Sequence, residues 1–124
     1  MARILLIDDD ALVRTTLLNF LNHDGHQVVE TANGAEAQKI LNCESYDLIL
    51  TDIVMPEKDG LEVIMSQLNR PDRPKIIAIS GGSSNLPHQM LLDIASKMKV
   101  DAVLTKPVSY DVLSAAVTAA LQKY

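Results

Sequence analysis

Five short segments, most of them apolar at nearly every position, alternate along the chain with stripes of helical period, and no other feature narrows the possible folds so far. Residues 4–7 (Ile-Leu-Leu-Ile), 48–50 (Leu-Ile-Leu, within the segment 47–52) and 76–79 (Ile-Ile-Ala-Ile, within 75–80) show no polar alternation. A strand that is apolar on both sides must be covered on both sides, as in a parallel sheet with helices above and below. Segments 27–31 and 102–105 also read as strands, and the polar ends of 27–31 place that strand near an edge.

Between the strands, Val13, Leu17, Phe20 and Leu21 recur at helical spacing until Asp24-Gly25 breaks the pattern. Ala37, Ile40 and Leu41 form a second stripe, opened by Asn33 with Glu36 three residues on, the spacing of a capping box. Asp59 can cap a third helix with the stripe Leu61, Ile64, Met65 and Leu68, and Leu91, Ile94, Ala95 and Met98 mark a fourth. The last helix buries Leu113, Ala116, Val117, Ala120 and Leu121; Ser109 can cap it, and Asp111 lies in its first turn, where the helix dipole favours negative charge. Five βα units without an internal repeat, linker or low-complexity tract predict one α/β domain over residues 1–124, a doubly wound parallel sheet with helices on both faces.

Composition removes several classes of function. The 124 residues carry a net charge of −5, opposite in sign to what a binder of many phosphates shows, so direct nucleic-acid binding is not expected. Aromatic residues make up 3% of the chain and none is Trp, which leaves almost no stacking platform for bases. The apolar run at 4–7 is too short for a signal peptide or a membrane span. Cys43 is the sole cysteine, which excludes an internal disulfide and points to a reducing compartment, the cytoplasm.

Ligands of open α/β sheets bind beyond the carboxyl ends of the strands. Here those ends carry Asp8-Asp9-Asp10, Asp52, Ser80 and Lys106. Neighbouring strands lie about 5 Å apart, so Asp52 is expected to face Asp8 or Asp9 across one crevice. Carboxylates that close repel, and a hard divalent cation such as Mg²⁺ resolves the repulsion while keeping waters that a phosphate can replace. Lys106 offers a compact positive charge for a phosphoryl oxygen, and Ser80 a small hydroxyl donor. Metal, ammonium and hydroxyl around one carboxylate suit attack on phosphorus.

Taken singly these residues have ordinary explanations. Asp10 directly precedes a helical stripe and reads as an N-cap rather than a ligand. Ser80 can end a strand, Lys106 can be a surface lysine, Asp59-Gly60 can be a turn, and Cys43 reads as a small packed residue. His23, His26 and His88 share no ligand spacing.

Together, in order and each at a strand end, the motifs Ile-Leu-Leu-Ile-Asp-Asp-Asp, Leu-Thr-Asp-Ile-Val-Met-Pro, Ala-Ile-Ser and Leu-Thr-Lys-Pro resemble the receiver domain of two-component response regulators over essentially the whole chain. The resemblance implies a flavodoxin-like strand order 2-1-3-4-5. It implies that Asp52 accepts a phosphoryl group from a phosphohistidine on a sensor histidine kinase or histidine phosphotransfer protein, and that the change alters binding of a downstream protein partner. Asp8, Asp9, Asp52 and the backbone carbonyl of Val54 would hold Mg²⁺, Lys106 and Ser80 would bind phosphoryl oxygens, and the Lys106-Pro107 bond would be cis. No enzymatic activity beyond the chain's own phosphorylation and dephosphorylation is implied. The Met1 start and Lys123-Tyr124 finish favour a stand-alone receiver.

The chain departs from the family pattern at Val103, where familiar receivers carry Tyr or Phe three residues before the lysine. An inward-turning aromatic is therefore not expected, and the Gly- and Ser-rich segment from Ser80 to Leu86 becomes the expected switching element. By the same resemblance, the positions that would orient water for phosphoryl loss, two residues after Asp52 and two after Ser80, are Val54 and Gly82, so slow hydrolysis is expected. Asp8-Asp9-Asp10 also fits the D-x-D pattern of haloacid-dehalogenase-like phosphatases, with Asp8 as nucleophile and Asp10 as acid. That reading needs a later acidic pair and a cap, for which 124 residues leave little room. A flavodoxin is disfavoured because three aspartates would repel a flavin phosphate. A degenerate docking receiver is disfavoured by the presence of Asp52, Ser80 and Lys106.

Overall fold

A computed structural model of the chain describes residues 2–53, 60–67, 70–80, 93, 97 and 99–122. Its strands are β1 (Arg3–Ile7), β2 (Gln27–Thr31), β3 (Leu48–Asp52), β4 (Lys75–Ser80) and β5 (Ala102–Thr105). The helices among the described residues are α1 (Ala11–His23), α2 (Gly34–Cys43), α3 (Gly60–Gln67) and α4 (Tyr110–Gln122). All strand pairs are parallel, in the order β2-β1-β3-β4-β5, so the polar-ended 27–31 segment is at an edge and β1 and β3 are neighbours. Val54, the Gly81 to Asn85 segment, the Asp59 cap, and Leu91, Ile94, Ala95 and Met98 lie outside the described residues.

The apolar strands are covered on both sides. Ile4, Leu6, Leu48, Leu50, Ile77 and Ile79 pack under Leu17 and Leu21 of α1 and Leu113, Val117 and Ala120 of α4. The alternate residues Leu5, Ile7 and Ile49 meet Ala37 and Leu41 of α2 and Val63 of α3, while Ile76 and Ala78 meet Ile53 and Ile64. Each fully buried Leu or Ile contributes about 1.5–3 kcal/mol, which makes the sheet a stiff floor for whatever its ends carry.

Helix termini follow local chemistry. Asp10 caps α1 by accepting from Leu12 N (3.0 Å) and Val13 N (3.2 Å), and Asn33 caps α2 by accepting from Glu36 N (2.7 Å). Ser109 Oγ accepts from Val112 N at 3.3 Å at the start of α4. Helix α1 ends in a Schellman motif: Gly25 has φ 84°, its N–H reaches Asn22 O (3.0 Å), and His26 N reaches Leu21 O (3.2 Å).

Two expectations of burial are corrected. Met65 is 56% exposed, whereas Val63 and Ile64 are buried, because α3 straddles two clusters with one of these residues in each. Cys43 is exposed: it lies two positions past Leu41, on the side of α2 turned away from the sheet.

Candidate functional site

The register of β1 on β3 pairs Ile7 with Thr51, so Asp8 and Asp52 occupy the next rung, side by side at the carboxyl edge of the sheet. Asp8 is fully buried and Asp52 is 6% exposed, while Asp9 points outward. One oxygen from each of Asp8, Asp9 and Asp52 can be chosen so that all lie within 4.8 Å of one another. Backbone bonds hold the edge in place. Asp8 N donates to Thr31 O (3.2 Å), Ile53 N to Ile79 O (2.9 Å) and Lys106 N to Ser80 O (2.9 Å). Ser80 ends β4 at 4% exposure, and the Lys106-Pro107 bond is cis.

Lys106 Nζ lies 2.9 Å from Asp8 Oδ2 and 2.9 Å from Asp52 Oδ2, bridging the two carboxylates. The contact with Asp52 is a hydrogen bond, and that with the buried Asp8 Oδ2 is an ion pair at the same distance. Burial pushes the Asp8 carboxyl above its ordinary range, and the Asp10 N–H bond and Lys106 only partly oppose this. Burial works against the Lys106 charge, yet the hydrogen bonds and charges of Asp52 and Asp8 outweigh it and raise its pKa. The donor set fits a hard divalent cation: three carboxylates, one of them fully buried, offer oxygens within reach of one ion.

Of the residues singled out by sequence, Asp8, Asp9, Asp52 and Lys106 come together, and Ser80 ends the strand next to β3. Asp10 does not join them, because its carboxylate is spent on the α1 cap. Sequence spacing did not single out Arg14. Its Nη1 donates to Asp8 O (2.8 Å) and its Nε to Glu30 Oε1 (3.0 Å). The available signal was a cation in the first turn of a helix, where the dipole disfavours it. Beside Lys106, Leu12, Val13, Thr16, Pro107 and Val108 line an apolar groove of about 340 Å³, with Leu12 78% exposed.

A doubly wound sheet of order 2-1-3-4-5, with a lysine-bridged acidic pocket at its carboxyl edge, is the architecture of the CheY-like class. The chain belongs to the response regulator receiver domain family, whose model matches residues 4–118. It is 36% identical over 123 residues to the transcriptional regulatory protein GlrR of Escherichia coli K12, covering 98% of this chain and 27% of that protein. It is 42% identical over 81 residues to the response regulator receiver protein CpdR of Brucella abortus, covering 65% of this chain and 68% of the other. The chain thus spans about a quarter of GlrR and, likewise, 52% of AfsQ1 of Streptomyces coelicolor. Among solved structures it resembles the response regulator TrrA of Thermotoga maritima in complex with Mg²⁺ and BeF. The TM-score is 0.80 at 30% identity, over 95% of this chain and 97% of that one. A receiver domain from Clostridium thermocellum matches with TM-score 0.83 at 27% identity, over 98% and 94%.

Proposed function

We propose that residues 1–124 form one receiver domain in which Asp52 is the phosphoacceptor, taking a phosphoryl group from the phosphohistidine of a sensor histidine kinase or histidine phosphotransfer protein. The observation that carries this reading is the single ammonium of Lys106 held between Asp8 and Asp52. In the transfer, an Asp52 carboxylate oxygen bonds to phosphorus as the donor's P–N bond breaks, and the bonding pair leaves with the imidazole. Lys106 turns from the Asp52 carboxylate to a phosphoryl oxygen, and the Ser80 hydroxyl donates to another. Asp8, Asp9, Asp52 and the Val54 carbonyl would hold Mg²⁺, which when bound would offset the charge of the incoming phosphoryl group. The donor approaches from the open edge of the sheet, where the apolar groove beside Lys106 offers it a seat.

The chain's chemistry is confined to its own aspartate, and the phosphorylated form changes the binding of a downstream protein partner. A cytoplasmic location is supported by the lone, exposed Cys43 and by the nature of the donor. No helix among the described residues is long and apolar enough to cross a membrane. Mass spectrometry after incubation with acetyl phosphate tests the reading, with and without Mg²⁺, on wild type and Asp52→Asn. One Mg²⁺-dependent adduct on Asp52, lost in the variant, is expected. An adduct mapping to Asp8 would transfer the chain to the phosphatase reading.

A further inference from the structure

The turn that carries Asp8 and Asp9 is closed into a ring of hydrogen bonds, and Arg14 is the link that closes it. Asp8 Oδ1 accepts from Asp10 N (2.9 Å), the Asp10 carboxylate accepts from Leu12 N and Val13 N, and Arg14 Nη1 returns to Asp8 O (2.8 Å). The Asp8 backbone is thereby held on both sides, its N–H by Thr31 O and its carbonyl by the guanidinium. Glu30 on β2 fixes the other edge of that guanidinium at 3.0 Å, so the ring is tied to the sheet as well as to α1. Asp9 and Asp10 are both exposed, but the Asp10 carboxylate is engaged by the α1 cap, and Asp9 sits between the two residues this ring immobilises.

Charge accounts for the ion pair with Glu30 but not for the bond to the Asp8 carbonyl. A cation in the first turn of a helix opposes the dipole, and near Asp8 and Asp9 it opposes a divalent ion. Its planar fork, however, reaches two acceptors at once, which an ammonium on a flexible stem does not reproduce. We propose that Arg14 is a positioning residue for the acid pair: by clamping the Asp8 carbonyl against Glu30, it sets the spacing at which Asp8 and Asp9 receive Mg²⁺. The proposal rests on the reading that these two residues hold the metal.

The charge-only and positioning accounts differ in sign. If Arg14 acts only through its charge, Arg14→Lys leaves Mg²⁺ affinity unchanged and Arg14→Gln tightens it. If it positions the pair, both variants bind Mg²⁺ more weakly, by about tenfold, the usual cost of losing a partner that orients a metal ligand. Direct calorimetric titration of the full chain with MgCl₂ measures this without reference to phosphorylation, and the exchange rate of the Asp10 amide reports whether the turn has loosened. Glu30→Ala keeps the Arg14 bond to Asp8 O and removes only the second tie, so a smaller weakening is expected there. It also serves as the test should the Arg14 variants fold poorly. Weaker binding in Arg14→Lys with faster Asp10 exchange supports the proposal; unchanged affinity in Arg14→Lys, or tighter binding in Arg14→Gln, overturns it. Wild type that takes up no Mg²⁺ overturns the metal reading itself, an outcome separate from any difference among the variants.

Discussion

Asp9 and Asp10 are adjacent carboxylates with opposite employment. Asp9 is exposed beside the buried Asp8, whereas Asp10 is bound to two helix N–H groups. Asp9→Ala is therefore expected to cut Mg²⁺ affinity sharply with little change in stability. Asp10→Ala should cost about 1 kcal/mol of stability, read by urea melts, and disturb Mg²⁺ binding less. Equal loss of affinity in both would reject the assignment of Asp8 and Asp9 as the metal pair. A second residue-scale expectation concerns phosphoryl loss. The family resemblance assigns the water-orienting positions to Val54, whose side chain has no hydrogen-bonding atom, and Gly82, which has no side chain, so hydrolysis of phosphorylated Asp52 should be slow for a receiver. Val54→Asn and Gly82→Glu should each speed it, by about ten- to a hundredfold if alignment of water is limiting. Dephosphorylation followed on the intact protein decides; no acceleration in either variant means that something else limits the step.

Between elements, the contact that ties α1 to α4 is polar at its centre and aromatic around it. The Tyr110 hydroxyl donates to the carboxylate of Asp24, the residue that ends α1, while the Tyr110 ring meets Phe20 and His23 edge-on at 5.6 and 5.4 Å. The bond from Tyr110, then that from Ser114, holds the Asp24 carboxyl below the usual carboxylate range. A carboxyl whose folded pKa is depressed favours the fold above its unfolded pKa, near pH 4, and loses that contribution as pH falls through the folded value. Tyr110→Phe keeps the ring contacts and removes the donor. In that variant the Asp24 titration, followed by carboxyl-detected NMR, should move up toward the ordinary range, and acid should destabilise the protein less steeply than in wild type. An unshifted Asp24 titration would show that Ser114 and the neighbouring histidines carry the effect.

At the scale of the whole molecule the question is how a change at Asp52 reaches a surface. Val103 packs against the cluster of Ile53, Ile64, Ile76 and Ala78, and a β-branched side chain is stiff at χ1, so a large rotamer swing on β5 is not available. The expected responder is the segment Gly81 to Asn85, which follows Ser80 directly in sequence. Amide exchange with and without beryllofluoride and Mg²⁺ should show protection rising in that segment and little change around Val103. Unchanged exchange there, with changes confined to another face, would reject this route.

Much of this protein was legible before its structure. The strands could be read because burial on both sides demands continuous apolar runs, and the caps Asp10, Asn33 and Ser109 because a helix start needs a short polar acceptor. The strand-end residues Asp8, Asp9, Asp52, Ser80 and Lys106 could be read because a parallel sheet gathers its carboxyl ends on one edge. All of these depend on periodicity or on neighbours close in sequence. The rest depended on contacts between distant segments. Periodicity narrowed the buried face of α3 but not its phase, and only packing between two clusters turned Val63 inward and Met65 outward. Nor does spacing show that Lys106 bridges Asp8 and Asp52, or that Arg14 reaches back to the Asp8 carbonyl and across to Glu30. Those contacts join three or more elements, and their geometry is set by the twist and register of the assembled sheet.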